Sequence, residues 1–220
     1  LLGTVGEAIN PEASMWSRRN HGRDSLAIVD TSWQSETGAA MIAPLPGATT
    51  LTPGSATVPL PGIDAAVVDD DGEPVAPGRS GTLVVRRPWP GMARTIWRSP
   101  ERYRDSYWSR FAGHGEWGGY YVAGDSATVD QHGAIRVLGR LDDVVNVSGH
   151  RLSTIEIESA LVGHEGVAEA AVVGASDETT GQAVVAFVCI KQSYTSKHEE
   201  LTGLVDALRA WVAPQIGAIA

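Results

Sequence analysis

The chain has 220 residues, of which 43% are hydrophobic and 20% charged, so it can bury a core and is not disordered by composition. This length suits one large domain or two small ones. The net charge of −9 argues against a general nucleic-acid surface, and no apolar run approaches the length of a membrane span. We therefore expect a cytoplasmic protein with no nucleic-acid partner and no membrane partner.

The basic residues are almost all arginine, because Lys191 and Lys197 are the only lysines among the seventeen basic residues. Arginine presents a rigid fork of donors that suits fixed contacts with anions, so local sites for anionic ligands stay open. The one cysteine, Cys189, lies in an apolar run, where we expect a buried core thiol, and no disulfide within the chain can form. The six histidines are scattered and lack metal-ligand spacing.

The first part of the chain predicts a helix and then a strand that ends at a candidate site. Residues 10–12 (Asn-Pro-Glu) supply an N-cap, a proline at the first helical position and an early acid, which predicts a helix over 11–20. The apolar run 26–30 ends in a carboxylate and predicts a buried strand. A hydroxyl-rich loop over 31–38 follows, and ligands of open α/β sheets bind in such loops.

The middle of the chain predicts β structure interrupted by loops. Five prolines between residues 44 and 61 predict an irregular loop along the surface. Strands are predicted at 63–69 and 81–86. The three aspartates between them indicate a solvated turn rather than a metal site, because no further ligand has a supporting spacing. The segment 89–119 holds four tryptophans, which we expect to be half-buried in a small barrel or sheet.

Residues 120–140 predict a β-hairpin with its turn at 130–133. Asp125 lies in the first strand of this hairpin among apolar residues. A carboxylate in such a position needs a partner, because an unpaired charge is costly to bury. Asp125 is therefore a candidate site residue.

The last third of the chain predicts a compact α+β unit. Residues 153–156 form a capping-box sequence for a helix, strands are predicted at 167–174 and 183–190, and a second helix at 197–212. The apolar face of the first helix consists of Ile157, Ala160 and Leu161. The apolar face of the second consists of Leu201, Leu204, Val205, Leu208 and Trp211. We expect the boundary with the β-rich part before it at residues 140–143.

The stretch 137–151 (VLGRLDDVVNVSGHR) places two arginines, two carboxylates and two glycines in fifteen positions. Arg140 and Arg151 can each offer a planar fork of donors to a phosphate or a ribose, and one such charge-assisted bond contributes about 1.5–3 kcal/mol. Asp142 and Asp143 stand where a hinge or turn would. On these residues alone two interpretations are open: a nucleotide site, or a polar interdomain linker with surface salt bridges.

Five groups of residues, in this order, carry a family resemblance. They are DTSWQSETG at 30–38, PLPGAT at 44–49 with PGSAT at 53–57, WPGMARTIW at 89–97, YYVAGD at 120–125 and GRLDDVVNVSGHR at 139–151. Together they resemble the AMP-forming acetyl-CoA synthetases of the acyl-adenylate-forming superfamily, nearly from end to end.

The resemblance implies a mixed α/β fold of α+β type. By it, residues 1–139 are the carboxyl-terminal portion of a large AMP-binding domain with a β-rich subdomain, residues 140–143 are a hinge, and residues 144–220 are a truncated small carboxyl-terminal domain. It also implies a two-step reaction. Acetate and ATP give acetyl-AMP and pyrophosphate, and the thiol of CoA then displaces AMP. The implied small-molecule partners are acetate, ATP and CoA, with Mg²⁺ as the metal.

The same resemblance assigns nucleotide roles. Arg151 matches the position that contacts the α-phosphate, Asp125 and Arg140 match those that hold the ribose hydroxyls, and Gly6 with Glu7 matches the turn that lines the adenine. The implied ATP- and AMP-binding positions are Gly6, Glu7, Asp30, Thr31, Gln34, Ser35, Asp125, Arg140 and Arg151.

Further roles follow from the resemblance. Glu36 matches the magnesium-associated acid, and Trp33 matches the indole that closes the acyl pocket. Ser148 and Gly149 match backbone that borders the CoA tunnel, and Asp142 matches the hinge about which the small domain swings.

The chain departs from the family pattern at three places. Ser32 stands where an aromatic ring usually stacks on adenine, and Ala8 stands where proline is usual. Ala213 and Pro214 stand where the family usually has a basic pair, including an arginine associated with CoA. The family's phosphate loop is expected before Leu1 and its catalytic lysine beyond Ala220, so we assign no catalytic residue within the chain.

Three functions stay open at this point. The leading one is a fragment of an acetate–CoA ligase. A close relative that uses propionate or another short acid is the second, because one methylene is worth only about 1–3 kcal/mol in a pocket. The third is a nucleotide-binding module that has lost catalysis, which Ser32 and Ala213 favour and the retained Asp125, Arg140 and Arg151 oppose.

We expect the 220 residues alone not to catalyse adenylation, because neither lysine present has the context of the family's catalytic lysine. The measurement is acetate-dependent exchange of labelled pyrophosphate into ATP. Exchange well above a no-acetate control would contradict this expectation.

Overall fold

The structure, a computed structural model, describes residues 1–6, 9–148, 150–195 and 203–217. The chain divides into two units, Leu1–Leu141 (unit 1) and Asp142–Ala220 (unit 2). Within the described residues, no helix combines the length and the apolar character that crossing a membrane requires.

Unit 1 begins with two parallel strands joined through a helix. Strand β1 (Leu2–Val5) pairs with β2 (Ile28–Thr31), and helix α1 (Pro11–Asn20) lies between them in the chain. The side-chain oxygen of Asn10 accepts a hydrogen bond from the backbone N–H of Glu12, as an N-cap does. The predicted helix is confirmed, and the predicted strand begins two residues later than expected. A single turn of 3₁₀ helix (Ser35–Thr37) follows β2.

The proline-rich stretch is irregular, as predicted, but it does not run only along the surface. Short backbone bridges tie Ile42 to Ser32 and to Pro59, and Thr57 to Ile135. Met41 and Ile42 are fully buried in the core of the unit. The prolines therefore prevent regular strands without excluding the segment from the core.

A four-stranded antiparallel sheet follows, in the spatial order β3-β4-β5-β6. Its strands are β3 (Ala65–Val68), β4 (Ser80–Val85), β5 (Tyr121–Val129) and β6 (Ile135–Arg140). The predicted hairpin is confirmed as β5 and β6. Its core face includes the buried residues Leu83, Val85, Tyr121, Ala123, Ala127 and Ile135.

Helix α2 (Pro100–Tyr107) was not predicted from the sequence. Tyr103 is its one buried residue, so apolar periodicity gives little signal, although a proline in its first turn followed by Glu101 is a recognisable helix start. The expectation for the tryptophans was half wrong. Trp97 and Trp117 are exposed, whereas Trp89 and Trp108 pack against the core.

Unit 2 is a second four-stranded antiparallel sheet with helices. Its elements are β7 (Val144–Val147), β8 (His150–Ser153), α3 (Thr154–Val162), β9 (Val167–Asp177), β10 (Gly181–Ile190), α4 (Gln192–Thr195) and α5 (Leu204–Ile216). The spatial order is β8-β7-β10-β9. The β7–β8 hairpin was not predicted from the sequence, and it follows directly after the residues expected to form the hinge, 140–143.

Local signals fix the ends of these elements. The Ser153 hydroxyl accepts from the backbone N–H of Glu156 and caps α3, and Ile157, Ala160 and Leu161 are buried as predicted. Residues 196–202, where the last helix was expected to begin and which include Leu201, lie outside the described residues.

Two expectations about burial in unit 2 are wrong. Cys189 is exposed, because Val188 and Ile190 take the core face of β10 and alternation turns the residue between them outward. On α5 the core positions are Leu204, Leu208 and Val212, whereas Val205 and Trp211 are exposed. The indole N–H of Trp211 instead donates to the carbonyl of Ala160 at 2.8 Å.

The core of unit 2 gives a stability prediction with a neighbouring control. Leu161 is 4% exposed and its neighbour Val162 is 39% exposed. Leu161→Ala is expected to lower the free energy of unfolding by about 2–5 kcal/mol through lost burial and a cavity, and Val162→Ala by well under about 1 kcal/mol. Urea denaturation followed by circular dichroism measures both. Equal effects of the two substitutions would contradict the assigned packing.

Candidate active site

The candidate site is built around residues 30–38, the last two residues of β2 and the loop that follows them, here together named the site loop. Its first residue, Asp30, is buried, and burial raises the pKa of its carboxyl group, partly offset by hydrogen bonds from the Thr4 hydroxyl and the Thr31 backbone. The Thr31 hydroxyl donates to the carbonyl of Thr4 at 3.0 Å. Both side chains therefore tie the start of the loop to β1, and their predicted nucleotide contacts stay predictions.

Gln34 joins the site loop to strand β5 at two points. Its side-chain N–H donates to the carbonyl of Ala123 at 2.5 Å, and its side-chain oxygen accepts from the hydroxyl of Tyr121 at 2.7 Å. Because both ends of the amide are bonded, the side chain acts as a strut of fixed length. Gln34 was predicted as a site residue, whereas Tyr121 was not.

Arg140 reaches the same carbonyl from strand β6. One of its terminal nitrogens, Nη1, donates to Ala123 at 2.9 Å and lies 3.4 Å from a carboxylate oxygen of Asp125. The strand register places these two residues opposite each other. The Asp125 side chain is 15% exposed and that of Arg140 is 48% exposed. Asp125 thus has the partner that its position in the sequence required.

Gly124 makes this approach of the guanidinium possible. Its φ is +82°, and a Cβ atom there would lie 2.5 Å from Nη2 of Arg140. Any side chain at 124 would occupy the space that the arginine uses, and the backbone conformation favours glycine as well. The glycine of the Gly-Asp pair therefore positions the arginine that faces the aspartate.

Glu36 is held by helix α2. The hydroxyl of Tyr107 donates to Oε1 of Glu36 at 2.6 Å, and the ring of Tyr107 stacks on Tyr121 with centroids 5.5 Å apart and planes at 14°. The hydrogen bond to Glu36 is the largest cause that raises the pKa of Tyr107, and burial is the largest that raises the pKa of Tyr121. Both phenols therefore stay protonated at neutral pH and act as donors.

A second link fixes the backbone of Glu36. Its carbonyl accepts from the N–H of Ala93 at 2.8 Å, and the carbonyl of Ala93 accepts from the hydroxyl of Tyr103. Helix α2 thus bonds directly to the side chain of this acid through Tyr107, whereas Tyr103 meets only the backbone of Ala93. No periodic pattern in the sequence points to these tyrosines.

The protein side chains at this site suit only one way of coordinating Mg²⁺. The described residues contain no group of three or more His, Cys, Asp or Glu that could enclose a metal ion. Glu36 uses Oε1 for the bond from Tyr107, and Oε2 is the oxygen that this bond does not use. One carboxylate oxygen fits an Mg²⁺ that takes its other ligands from phosphate oxygens and water, and it does not fit an all-protein cage.

Trp33 and Ser35 alternate with these anchored residues and are exposed, Trp33 by 49%. Gly6 follows β1 with a φ of +110°. The hydrogen bonds and the ring stacking described above link Gln34, Glu36, Asp125 and Arg140 into one group through Ala123, Tyr107 and Tyr121. Asp30 and Thr31 do not belong to that group.

The remaining predicted positions lie in unit 2 or outside the described residues. Asp142 is exposed, and exposed Ser148 has a φ of +50° while its N–H donates to the carbonyl of Thr180 at 3.0 Å. Arg151 pairs with Asn146 through the strand register, and its side chain lies outside the described part of the chain. The predicted positions Glu7 and Gly149 lie outside it entirely.

Comparison with protein families covers both units. The family described as AMP-binding enzyme matches residues 1–97, and the AMP-binding enzyme C-terminal domain matches residues 156–220. The chain belongs to the AMP-binding enzymes. Within them it is similar to acetyl-coenzyme A synthetases, with 57% identity to one from Mycolicibacterium smegmatis and 58% to one from Burkholderia thailandensis, each over all of this chain.

The match is to part of those relatives. The chain covers 23% of the Mycolicibacterium protein and 33% of the Burkholderia protein, so it spans about a quarter to a third of their length. Among solved structures, an anthranilate CoA ligase, AuaEII, in complex with anthranoyl-AMP superposes with a TM-score of 0.77 at 26% identity. That comparison covers 99% of this chain and 38% of the ligase. The resemblance seen in the sequence is confirmed, as is the mixed α/β fold of a partial adenylate-forming enzyme.

The role of Gly124 can be tested against a second glycine of the same hairpin. Gly124 and Gly133 have φ of +82° and +81°, but a Cβ at 133 would meet nothing within 4 Å. Gly133→Ala is expected to cost about 1–2 kcal/mol of unfolding free energy from backbone strain, and Gly124→Ala is expected to cost more because it also displaces Arg140 from its hydrogen bonds. Urea denaturation gives both values. Equal costs would show that the arginine does not depend on the glycine.

Proposed function

We propose that this chain is part of an acetyl-CoA synthetase, which converts acetate, ATP and CoA to acetyl-CoA, AMP and pyrophosphate. The observation that carries the proposal is the Asp125–Arg140 pair beside the Gln34 strut and Glu36. The 57–58% identity to acetyl-coenzyme A synthetases over the whole chain supports it. In this reaction a carboxylate oxygen of acetate bonds to the α-phosphorus as pyrophosphate leaves. The CoA sulfur then bonds to the acetyl carbon as AMP leaves.

Asp125 and Arg140 are proposed to hold the ribose. A carboxylate accepts hydrogen bonds from two vicinal hydroxyls, and Asp125 is shielded enough for such bonds to be stronger than in bulk water. Arg140 orients that carboxylate while its half-exposed guanidinium can donate to the sugar. Gly6 and Glu7 are proposed to line the adenine, and Ser35 to donate its exposed hydroxyl to a phosphate.

Trp33 is proposed to close the acyl pocket. An exposed indole beside the phosphate-facing part of the site loop can stop the growth of an acyl chain after two or three carbons. Since one methylene is worth about 1–3 kcal/mol, acetate is preferred over propionate and propionate is not excluded.

Unit 2 contributes the other proposed contacts. Arg151 is proposed to contact the α-phosphate, and the backbone at Ser148 and Gly149 to border CoA. Asp142, the first residue of unit 2, is proposed as the hinge between a large domain ending near residue 139 and a small one starting near 144.

Glu36 of unit 1 is proposed to hold Mg²⁺, which neutralises phosphate charge during adenylation. We propose the cytoplasm as the compartment of the reaction.

AMP binding tests the nucleotide part of this proposal. Isothermal titration of the 220-residue chain is expected to show AMP binding that Asp125→Ala or Arg151→Ala weakens about tenfold to a hundredfold, since a charge-assisted hydrogen bond contributes about 1.5–3 kcal/mol. Arg136→Ala, on the same strand as Arg140, is the control and is expected to change little. Equal effects of all three substitutions would indicate a general electrostatic contribution and contradict the assigned site.

An acyl-adenylate analogue separates a ligase fragment from a module that only binds nucleotide. A non-hydrolysable acetyl-adenylate analogue is expected to bind more tightly than AMP, and Trp33→Ala is expected to remove that advantage while AMP affinity is unchanged. Equal affinities of the chain for AMP and the analogue would favour the module.

A further inference from the structure

Helix α2 ends at a tyrosine whose hydroxyl meets the acid of the site loop. The Tyr107–Glu36 bond of 2.6 Å lies in the range of O–H···O⁻ bonds, which are about twice as strong as bonds between neutral groups. The two residues are 71 positions apart in the chain. The bond engages Oε1, so the direction in which Oε2 points is set by the position of the phenol oxygen.

The phenol is itself fixed by its neighbours. Tyr107 stacks on Tyr121, which is fully buried and meets Trp108 edge-on with centroids 5.7 Å apart. Tyr103, one helical turn earlier, also packs against Tyr107, with centroids 5.5 Å apart and planes at 51°. Because the Tyr107 ring contacts two other rings, one of them fully buried, its hydroxyl has little freedom to move, and the position of the Glu36 carboxylate is restricted with it.

Tyrosine also suits this task because it is a neutral donor. An arginine or lysine in its place would hold the carboxylate equally well, but it would cancel the negative charge on which attraction of a cation depends. A neutral phenol fixes one oxygen and adds no positive charge beside Glu36. Tyr107 therefore orients the Glu36 carboxylate without neutralising its negative charge.

We propose that Tyr107 is a positioning residue that orients the Glu36 carboxylate, which would hold the Mg²⁺ that accompanies the phosphates of ATP. This inference rests on the proposed function. Tyr107 is assigned no contact of its own with metal or nucleotide, and its effect passes entirely through Glu36. The consequence is that loss of one phenol oxygen weakens metal-dependent nucleotide binding and leaves metal-free binding intact.

The test is a double-mutant cycle on binding, with the 220-residue chain, ATP with Mg²⁺, and AMP without metal as the probes. Tyr107→Phe is expected to weaken the affinity for ATP with Mg²⁺ about tenfold, since a hydrogen bond to a charged group is lost. The affinity for metal-free AMP is expected to stay within about twofold. In a Glu36→Ala background, Tyr107→Phe is expected to have no further effect.

Tyr103→Phe is the matched control. It removes a hydroxyl from the same helix, but that hydroxyl donates to the backbone of Ala93 and not to the Glu36 side chain. It is expected to leave the ratio of the two affinities unchanged, and unfolding curves of both variants report any loss of stability.

The outcomes separate this inference from the function on which it rests. A wild-type chain that binds no AMP would overturn the proposed function and the inference with it. If AMP binds and Tyr107→Phe weakens both probes equally, or acts as strongly in the Glu36→Ala background, the function stands and Tyr107 has only a structural role. An equal loss from Tyr103→Phe would overturn the inference in the same way.

Discussion

The site depends on one backbone carbonyl. The oxygen of Ala123 accepts from Gln34 of the site loop and from Arg140 of strand β6. A carbonyl has two lone pairs, so both bonds can form at once, and a loop and a strand far apart in the chain are fixed to one atom of the sheet. The Asp125–Arg140 pair and the Gln34 strut are placed relative to each other because they share this acceptor.

The site loop contains two kinds of residue: those whose side chains are bonded to the rest of unit 1, and those whose side chains are exposed to a ligand. Asp30, Gln34 and Glu36 are bonded to the scaffold, whereas Trp33 and Ser35 are exposed. A loop in which every residue contacted the ligand would lose conformational entropy on binding. A loop in which every side chain was bonded to the scaffold would have no group left to bind a ligand. The alternation gives a short segment both properties, and it lets the core of unit 1 set the geometry of polar groups at its surface.

The sequence predicted the elements that have strong local signals. Helix α1 has its capping residues, the β5–β6 hairpin has its turn, and strands β9 and β10 have long apolar runs. Helix α2 was not predicted because only Tyr103 on it is buried. The burial of Cys189 was predicted wrongly because an apolar run does not show which face of the strand meets the core. Family motifs pointed to Gln34, Glu36, Asp125 and Arg140. Tyr107 and Tyr121 escaped because their partners lie 71 and 87 residues away, and no local pattern records such contacts.

The outward orientation of Cys189 makes the chain convenient to label. It is the one cysteine of the sequence and it is exposed on unit 2, so a thiol-reactive fluorophore attaches at a single known place without mutagenesis. A second thiol at exposed His132, at the tip of the β5–β6 hairpin in unit 1, completes a donor–acceptor pair. Energy transfer between the two dyes would then give a direct readout with which to test the proposed hinge at Asp142.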